Sequence, residues 1–392
     1  MILRTVKDIN LKNKRVLVRV DYNVSLGQAD LADQLRLRQS LPTINYLLSQ
    51  NCLVILISHL GRPGGEVKPQ YSLKPLLPTL EKLLKRSLTF FDDFLTVSVQ
   101  EKIKNLPLGE IILLENLRFY PGEEANEESF SRQLAALAEV FVQDGFGVCH
   151  RPHASVIGLP QFLPAVAGLL LAKEVDLISK TLKQPQRPMV VVLGGAKTET
   201  KIGLLNRLLE IADILLLGGC LANTFLKASG YEVGQSKVDK EACLAAQQIL
   251  TKAKTLAKPC FLPLDVVLGD TTSNFVNGEV SVNKIQPQLQ ILDIGSETRQ
   301  KFSQILKKAK TIIWNGPLGL IEQEAYRGGT QAVYQAIAEN KQAVALIGGG
   351  ETLAAINQKI TPSHIYLSTG GGAMLEFIEK GTLAGIEVLL NK

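Results

Sequence analysis

Apolar residues fall in short unbroken runs: "RVLVRV" at 15–20, "CLVILIS" at 52–58, "EIILLE" at 110–115 and "EVFVQ" at 139–143. The rhythm returns in "MVVVL" at 189–193, "DILLL" at 213–217, "CFLPLDVVL" at 260–268, "TIIW" at 311–314, "AVALI" at 343–347 and "HIYLS" at 364–368. Runs that do not alternate with polar residues predict strands covered on both faces. The longer helical patterns between them predict right-handed crossover units in parallel sheets. Apolar positions at helical spacing over 169–183, followed by Pro185 and Pro188, predict one helix that ends just before a new strand.

The expected fold class is therefore α/β: two Rossmann-like three-layer α/β/α lobes with mainly parallel sheets, joined by an interdomain helix. The lobes fall at 1–166 and 185–374, with the joining helix in 167–184.

In open parallel sheets the ligand crevice lies outside the carboxyl ends of the strands, so the residues following each run carry the chemistry. In the first lobe these are Asp21 and Asn23, then His59 and Arg62, then Arg118, then His150, Arg151 and His153, with Arg36 added from "LADQLRLRQSLP". Singly, each has an ordinary structural explanation. Together they put forked guanidinium donors and three of the four histidines at one crevice, a site for a small, strongly anionic molecule. In the second lobe the run ends are glycine-rich: "LGGAKTETK", "LGGCLANTF", "WNGPLGLIE", "IGGGETLAA" and "STGGGAMLE". Glycine permits close backbone approach and each following helix start offers free N–H groups, so several such loops together point to a polyphosphate. Lys197 and Lys201 share a face at a helix start, where cations oppose the dipole unless an anion lies between them. The spacing matches neither a Walker A loop nor the G-x-G-x-x-G dinucleotide fingerprint.

Composition narrows the classes further. A chain of 392 residues with 46% hydrophobic content is ample for two cores, and its formal charge of +6 is dispersed among acids rather than gathered in blocks. Nucleic acid is thereby disfavoured as a partner. Five cysteines without a C-x-x-C pair fit a reducing cytoplasm. No secretory leader and no eighteen-residue apolar stretch is evident, which argues against export and membrane insertion.

Taken in order, "RVDYNV", "LRLRQSLPTI", "SHLGRP", "LLENLRFY", "HRPHAS", "LGGAKTETKI", "WNGPLGLIE", "GGGET" and "STGGGAMLE" resemble the phosphoglycerate kinase family over essentially the whole chain. The resemblance implies reversible transfer of the acyl phosphate of 1,3-bisphosphoglycerate to Mg-ADP, giving 3-phosphoglycerate and ATP. It implies Mg²⁺ as cofactor, ATP/ADP as substrate and a cytoplasmic monomer with hinge-bending closure. It assigns Asp21, Asn23, Arg36, His59, Arg62, Arg118 and Arg151 to the acid substrate. Gly194, Lys197, Lys201, Gly218, Asn315, Glu322, Gly349, Gly350, Glu351 and Thr352 go to the nucleotide, with Glu322 on the ribose and Glu351 on the metal. Arg36, Lys197, Gly350 and Gly372 are the expected catalytic set, with Gly371 beside Gly372, and the tail at 375–392 is expected on the first lobe.

Several positions depart from the family pattern. Gly145, Val148, Cys149 and Pro152 surround Arg151, Thr198, Glu199 and Thr200 separate the two lysines, Cys220 interrupts a glycine run, Ile321 precedes Glu322, Ser25 stands where proline is usual, and Glu351 replaces Asp. A poorly catalytic relative, a two-lobed anion-binding protein and a nicotinamide dehydrogenase are the competing classes. The retained arginines and lysines, the second phosphate site and the failed fingerprint argue against them in turn.

Overall fold

The structure is a computed structural model and describes residues 3–26, 31–196, 198–272, 275–356 and 361–390. The chain forms two compact units: one runs to Ser179 and includes the residues from Lys380 onward, the other is Lys180–Glu379.

The first unit is built on a six-stranded parallel sheet of β1 (Arg15–Arg19), β2 (Leu53–Ile57), β3 (Thr89–Phe91), β4 (Ile111–Leu114), β5 (Val140–Gln143) and β6 (Ala165–Ala167), in the order β3-β4-β2-β1-β5-β6. The pleat sends alternate residues to opposite faces. Val16, Val18 and Val20 join Val54, Leu56, Ile111, Leu113, Val140 and Val142 in one core cluster, with Leu37, Ile44 and Leu47 of the helix Leu31–Ser49 and Leu80 and Leu84 of the helix Leu77–Leu84. β3 and β6 are three-residue edge strands, too short to stand out as apolar runs. The order reverses direction at β1 and β5, which places this unit's topological switch point beside Asp21 and Gly145.

The second unit repeats the plan with β7 (Met189–Leu193), β8 (Ile214–Leu217), β9 (Cys260–Phe261), β13 (Thr311–Asn315), β14 (Val344–Gly348) and β15 (Ile365–Leu367), in the parallel order β15-β14-β13-β7-β8-β9. β7 and β13 are buried along their whole length, as their unbroken apolar runs require. The run 260–268 is not one strand. After β9 the chain passes Pro263 and enters a separate antiparallel sheet of β10 (Asp265–Asp270), β11 (Phe275–Ser281) and β12 (Gln290–Ile294), ordered β11-β10-β12. Proline has no N–H for a ladder, so the parallel sheet ends at this break. The small sheet closes its own core of Leu226, Val233, Val266, Leu268, Val282, Ile285 and Leu289. The helix expected over 169–183 is Leu169–Lys183, started by Asp144, whose carboxylate accepts from Leu170 N at 2.9 Å.

Candidate active site

In the first unit the strand ends converge through one peptide. Gly61, just after β2, donates to Asn23 Oδ1 at 2.9 Å, and its carbonyl accepts from Arg118 Nη1 at 2.7 Å. Arg36 reaches the same place from its helix: Nη1 donates to Asn23 O at 2.6 Å, and Nε lies 3.7 Å from Asp21 Oδ2. His59 Nδ1 is 4.0 Å from Asp21 Oδ1 and 3.2 Å from Arg19 Nη2. Asp21, Asn23, Arg36, His59 and Arg118 are thus gathered at one strand edge, while Arg62 stands exposed beside them. Arg118 is aimed by Asn116, which is fully buried, accepts from Arg118 N at 3.0 Å and donates to Leu60 O and Tyr71 O.

The electrostatics of this cluster separate arginines from histidines. Burial, then the nearby Arg19, Arg118 and Arg151 guanidinium groups, hold His59 well below the ordinary imidazole value. Burial and the same three arginines bring His153 down to about 4. Arg118 is lowered by burial only to about 10, with Glu124 opposing the shift, so it stays charged. At neutral pH the cluster therefore presents guanidinium charge beside neutral imidazole rings.

A histidine kept neutral in this way contributes stability that is complete above about pH 6.5 and lost as the pH falls toward about 4. The ring proton resonances of His153 should accordingly titrate with a midpoint near pH 4, and urea midpoints should drop between pH 7 and pH 4.5. A midpoint near 6.5 would contradict the burial argument.

In the second unit the glycine-rich turns do two different jobs. At the switch point between β7 and β13, a Cβ on Gly194 would overlap the Pro317 carbonyl, and one on Gly218 would enter the Leu318 side chain. Gly195 N donates to Pro317 O at 2.7 Å and Gly219 N to Leu318 O at 3.0 Å, which locks the three loops together. By contrast, Gly350, Gly371 and Gly372 have no described heavy atom within 4 Å of a built Cβ. Their backbones are open to a ligand, whereas Gly194 and Gly218 already have their lack of a side chain explained by packing.

Asn315 and Thr352 also act between loops. Asn315 Nδ2 donates to Gly348 O at 2.9 Å, and Thr352 Oγ1 accepts from Gly316 N at 2.8 Å. Lys201 is buried, its ammonium donating to the Gly194 carbonyl. Burial lowers its pKa to about 8 against the opposing pull of Glu351, so it remains cationic at neutral pH. Lys197 lies outside the described residues. Around this frame a cavity of roughly 140 Å³ is walled by Gly195, Gly219, Cys220, Pro317 to Glu322 and Glu351. Glu322 and Glu351 are exposed on its wall.

The family model for phosphoglycerate kinase matches residues 6–381. The chain belongs to the phosphoglycerate kinase family. It is 42% identical over 394 residues to a phosphoglycerate kinase of Pelotomaculum thermopropionicum, covering 100% of both chains, and 44% identical over 390 residues to that of Moorella thermoacetica, covering 99% of both. The solved phosphoglycerate kinase of Coxiella burnetii superimposes with a TM-score of 0.84 at 37% identity, covering 99% of each chain. The enzyme is a kinase of glycolysis that transfers phosphate between 1,3-bisphosphoglycerate and ADP.

Within this phosphoglycerate kinase fold, three residues at the first site went unnoticed in the sequence. Arg19 is 1% exposed and points away from the Val16/Val18 face. Its Nε donates to Ser155 Oγ at 2.8 Å, and Ser155 donates in turn to Glu123 Oε1 at 2.5 Å. The signal was present: a charged residue inside the run "RVLVRV" needs a partner if it is to be buried. That the partner is Glu123, through Ser155, was not readable from local pattern. Cys149 and Gly385 are joined by a backbone bond, Gly385 N to Cys149 O at 2.8 Å, so the C-terminal helix Ala384–Leu390 belongs to the same unit as Arg151. No helix among the described residues is long and apolar enough to cross a membrane.

Proposed function

We propose that the first unit holds 3-phosphoglycerate or 1,3-bisphosphoglycerate on Asp21, Asn23, Arg36, His59, Arg62, Arg118 and Arg151. The second unit holds ATP or ADP with Lys197, Lys201, Gly194, Gly218, Asn315, Glu322, Gly349, Gly350, Glu351 and Thr352. The observation that carries this reading is the Asn23–Gly61–Arg118 bridge with Arg36 beside it, which presents fixed guanidinium donors at the carboxyl ends of parallel strands.

Phosphoryl transfer asks for in-line placement and neutralised charge rather than a strong base. Arg36, half-buried with Nη1 on Asn23 O and Nε toward Asp21, would bring a fixed guanidinium charge to the transferring group. Lys197, Gly350 and Gly372 would face the same oxygens from the nucleotide side, the two glycines offering unobstructed backbone. The helix Leu169–Lys183, which contains the boundary between the units, serves as the hinge whose closure unites the substrates and excludes water. The reading makes the enzyme a cytoplasmic monomer acting on small molecules, with neither nucleic acid nor membrane as partner. Five unpaired cysteines accord with a reducing compartment.

The donor set fits Mg²⁺. Among the described residues no three His, Cys, Asp or Glu side chains cluster as a metal cage. Mg²⁺ characteristically takes one or two carboxylates together with substrate phosphates and water. Glu351, exposed on the cavity wall beside the open Gly350, is the carboxylate that would hold it. When bound, the ion supplies positive charge at the phosphate oxygens.

The test is ADP formation from ATP, with 3-phosphoglycerate and Mg²⁺ omitted in turn. Each omission should abolish turnover, and ADP formation independent of 3-phosphoglycerate would sink the reading. In Glu351→Ala the Mg²⁺ concentration for half-maximal rate should rise about tenfold. An unchanged Mg²⁺ dependence would return Glu351 to a charge at a helix start.

A further inference from the structure

The helix Leu169–Lys183 is capped from a distance. Gly168, the residue before it, has no side chain to offer, and a Cβ there would come within 2.0 Å of Asp144 Oδ1. The first N–H groups, which every helix leaves without an internal partner, are met instead by two side chains from elsewhere in the first unit. Leu169 N donates to Thr43 Oγ1 at 2.8 Å, and Leu170 N and Leu171 N donate to Asp144 Oδ1 at 2.9 and 3.4 Å. Thr43 and Asp144 are 0% and 1% exposed, and the two side chains interact with each other.

These two caps belong to the elements that carry the arginines of the first site. Thr43 lies about two turns beyond Arg36 on the helix Leu31–Ser49. Asp144 follows β5 and opens the segment that leads to Arg151, and its own N–H donates to Arg19 O at 2.9 Å. The start of the helix is therefore fixed relative to Arg36 and Arg151, not by its own neighbours in sequence. A 15-residue helix is about 22 Å long, so a tilt of about 5° at its first turn moves its last turn by about 2 Å. In-line transfer is sensitive to such errors: a misplacement of about 1 Å arising far from the chemistry can cost about a hundredfold in rate.

We infer that Thr43 and Asp144 are positioning residues for phosphoryl transfer: together they fix the direction in which the hinge helix leaves the first unit, so that closure brings the substrates into line. The inference rests on the reading of this helix as the hinge. The pair acts through the helix and not on a substrate. Alignment of the two bound substrates depends on it, whereas the affinity for either substrate alone does not, which separates its loss from damage to a binding site.

The experiment compares the wild type with three variants of the whole enzyme. Thr43→Val keeps the volume and removes the acceptor for Leu169 N, Thr43→Ser restores that acceptor, and Asp144→Asn keeps the size and removes the charge. Calorimetry gives Kd for 3-phosphoglycerate and for ADP separately, and steady-state kinetics gives kcat with both substrates saturating. Small-angle X-ray scattering gives the radius of gyration with and without 3-phosphoglycerate plus ADP. In Thr43→Val, kcat should fall at least about tenfold while both Kd values stay within about twofold of wild type, and the contraction on adding both ligands should diminish. Thr43→Ser should recover kcat to within about twofold of wild type. Near-ultraviolet circular dichroism establishes that each variant is folded, and Asp144→Asn, expected to show the same split between kcat and Kd, carries the test if Thr43→Val is not. Near-normal kcat in the folded variant, or a loss of kcat matched by an equal loss of 3-phosphoglycerate affinity, would overturn the inference while leaving the hinge standing. A wild type that does not contract with both ligands would overturn the hinge reading itself.

Discussion

Replacing Arg36 with alanine should lower kcat by on the order of a hundred- to a thousandfold, as loss of a fixed charge-stabilising donor does, while the protein stays folded. The side chain is half-buried and held by Asn23 O at 2.6 Å, with Asp21 at 3.7 Å and Asp33 at 3.9 Å. These contacts set its direction, with no hydrogen-bond acceptor for Nε among the described residues. Truncation removes the charge without opening the core, because Leu37, Ile44 and Leu47 form the buried face of the same helix. Arg36→Lys should recover only part of the loss, since an ammonium cannot reproduce the planar fork. Steady-state kinetics with both substrates saturating, beside thermal melts, separate the effects. Near-normal kcat in the alanine variant would take Arg36 out of the mechanism.

Gly194→Ala and Gly350→Ala should fail in opposite ways, although both glycines sit in similar-looking turns. At Gly194 the new methyl group meets the Pro317 and Gly316 carbonyls, which belong to the backbone and cannot swing aside. The loops after β7 and β13 must then part, at a cost of about 3 kcal/mol from overpacking, with the Gly195–Pro317 and Lys201–Gly194 bonds disturbed. Gly350 has open space at the same position, so Gly350→Ala should melt within a degree or two of wild type. Its expected defect is weaker ADP binding and slower turnover, because the methyl group stands where a phosphate would approach. Urea denaturation and ADP titration of the two variants check this. A destabilised Gly350→Ala with normal ADP affinity would reverse the assignment of roles.

The contrast between these glycines marks how far the sequence could be read. "LGGAK" and "GGGET" carry the same local message, a sharp turn after a buried strand. Only the neighbours across the sheet decide whether the missing side chain admits Pro317 or a ligand. The same holds for charge. His59 and Arg118 were legible as strand-end residues, but their different protonation follows from burial and from arginines contributed by other strands. Asp293 gave no sign of its part: buried to 1% exposure, it accepts from Gly329 N at 2.7 Å and ties the helix Gly328–Glu339 to β12.

By itself the sequence determined the strands with unbroken apolar runs, the helix Leu169–Lys183, the α/β class and the set of polar residues placed after each strand. All of these follow from burial on both faces and from periods of 2 and 3.6 residues, which are local properties. The tertiary structure decided what depends on partners distant in the chain. It set the break at Pro263 that releases an antiparallel sheet, and the interlocked loops at Gly194 and Pro317. It also joined Arg19 to Ser155 across 136 residues of sequence. A periodic pattern records that a side chain is buried, whereas the group it meets there is fixed only when the sheets close.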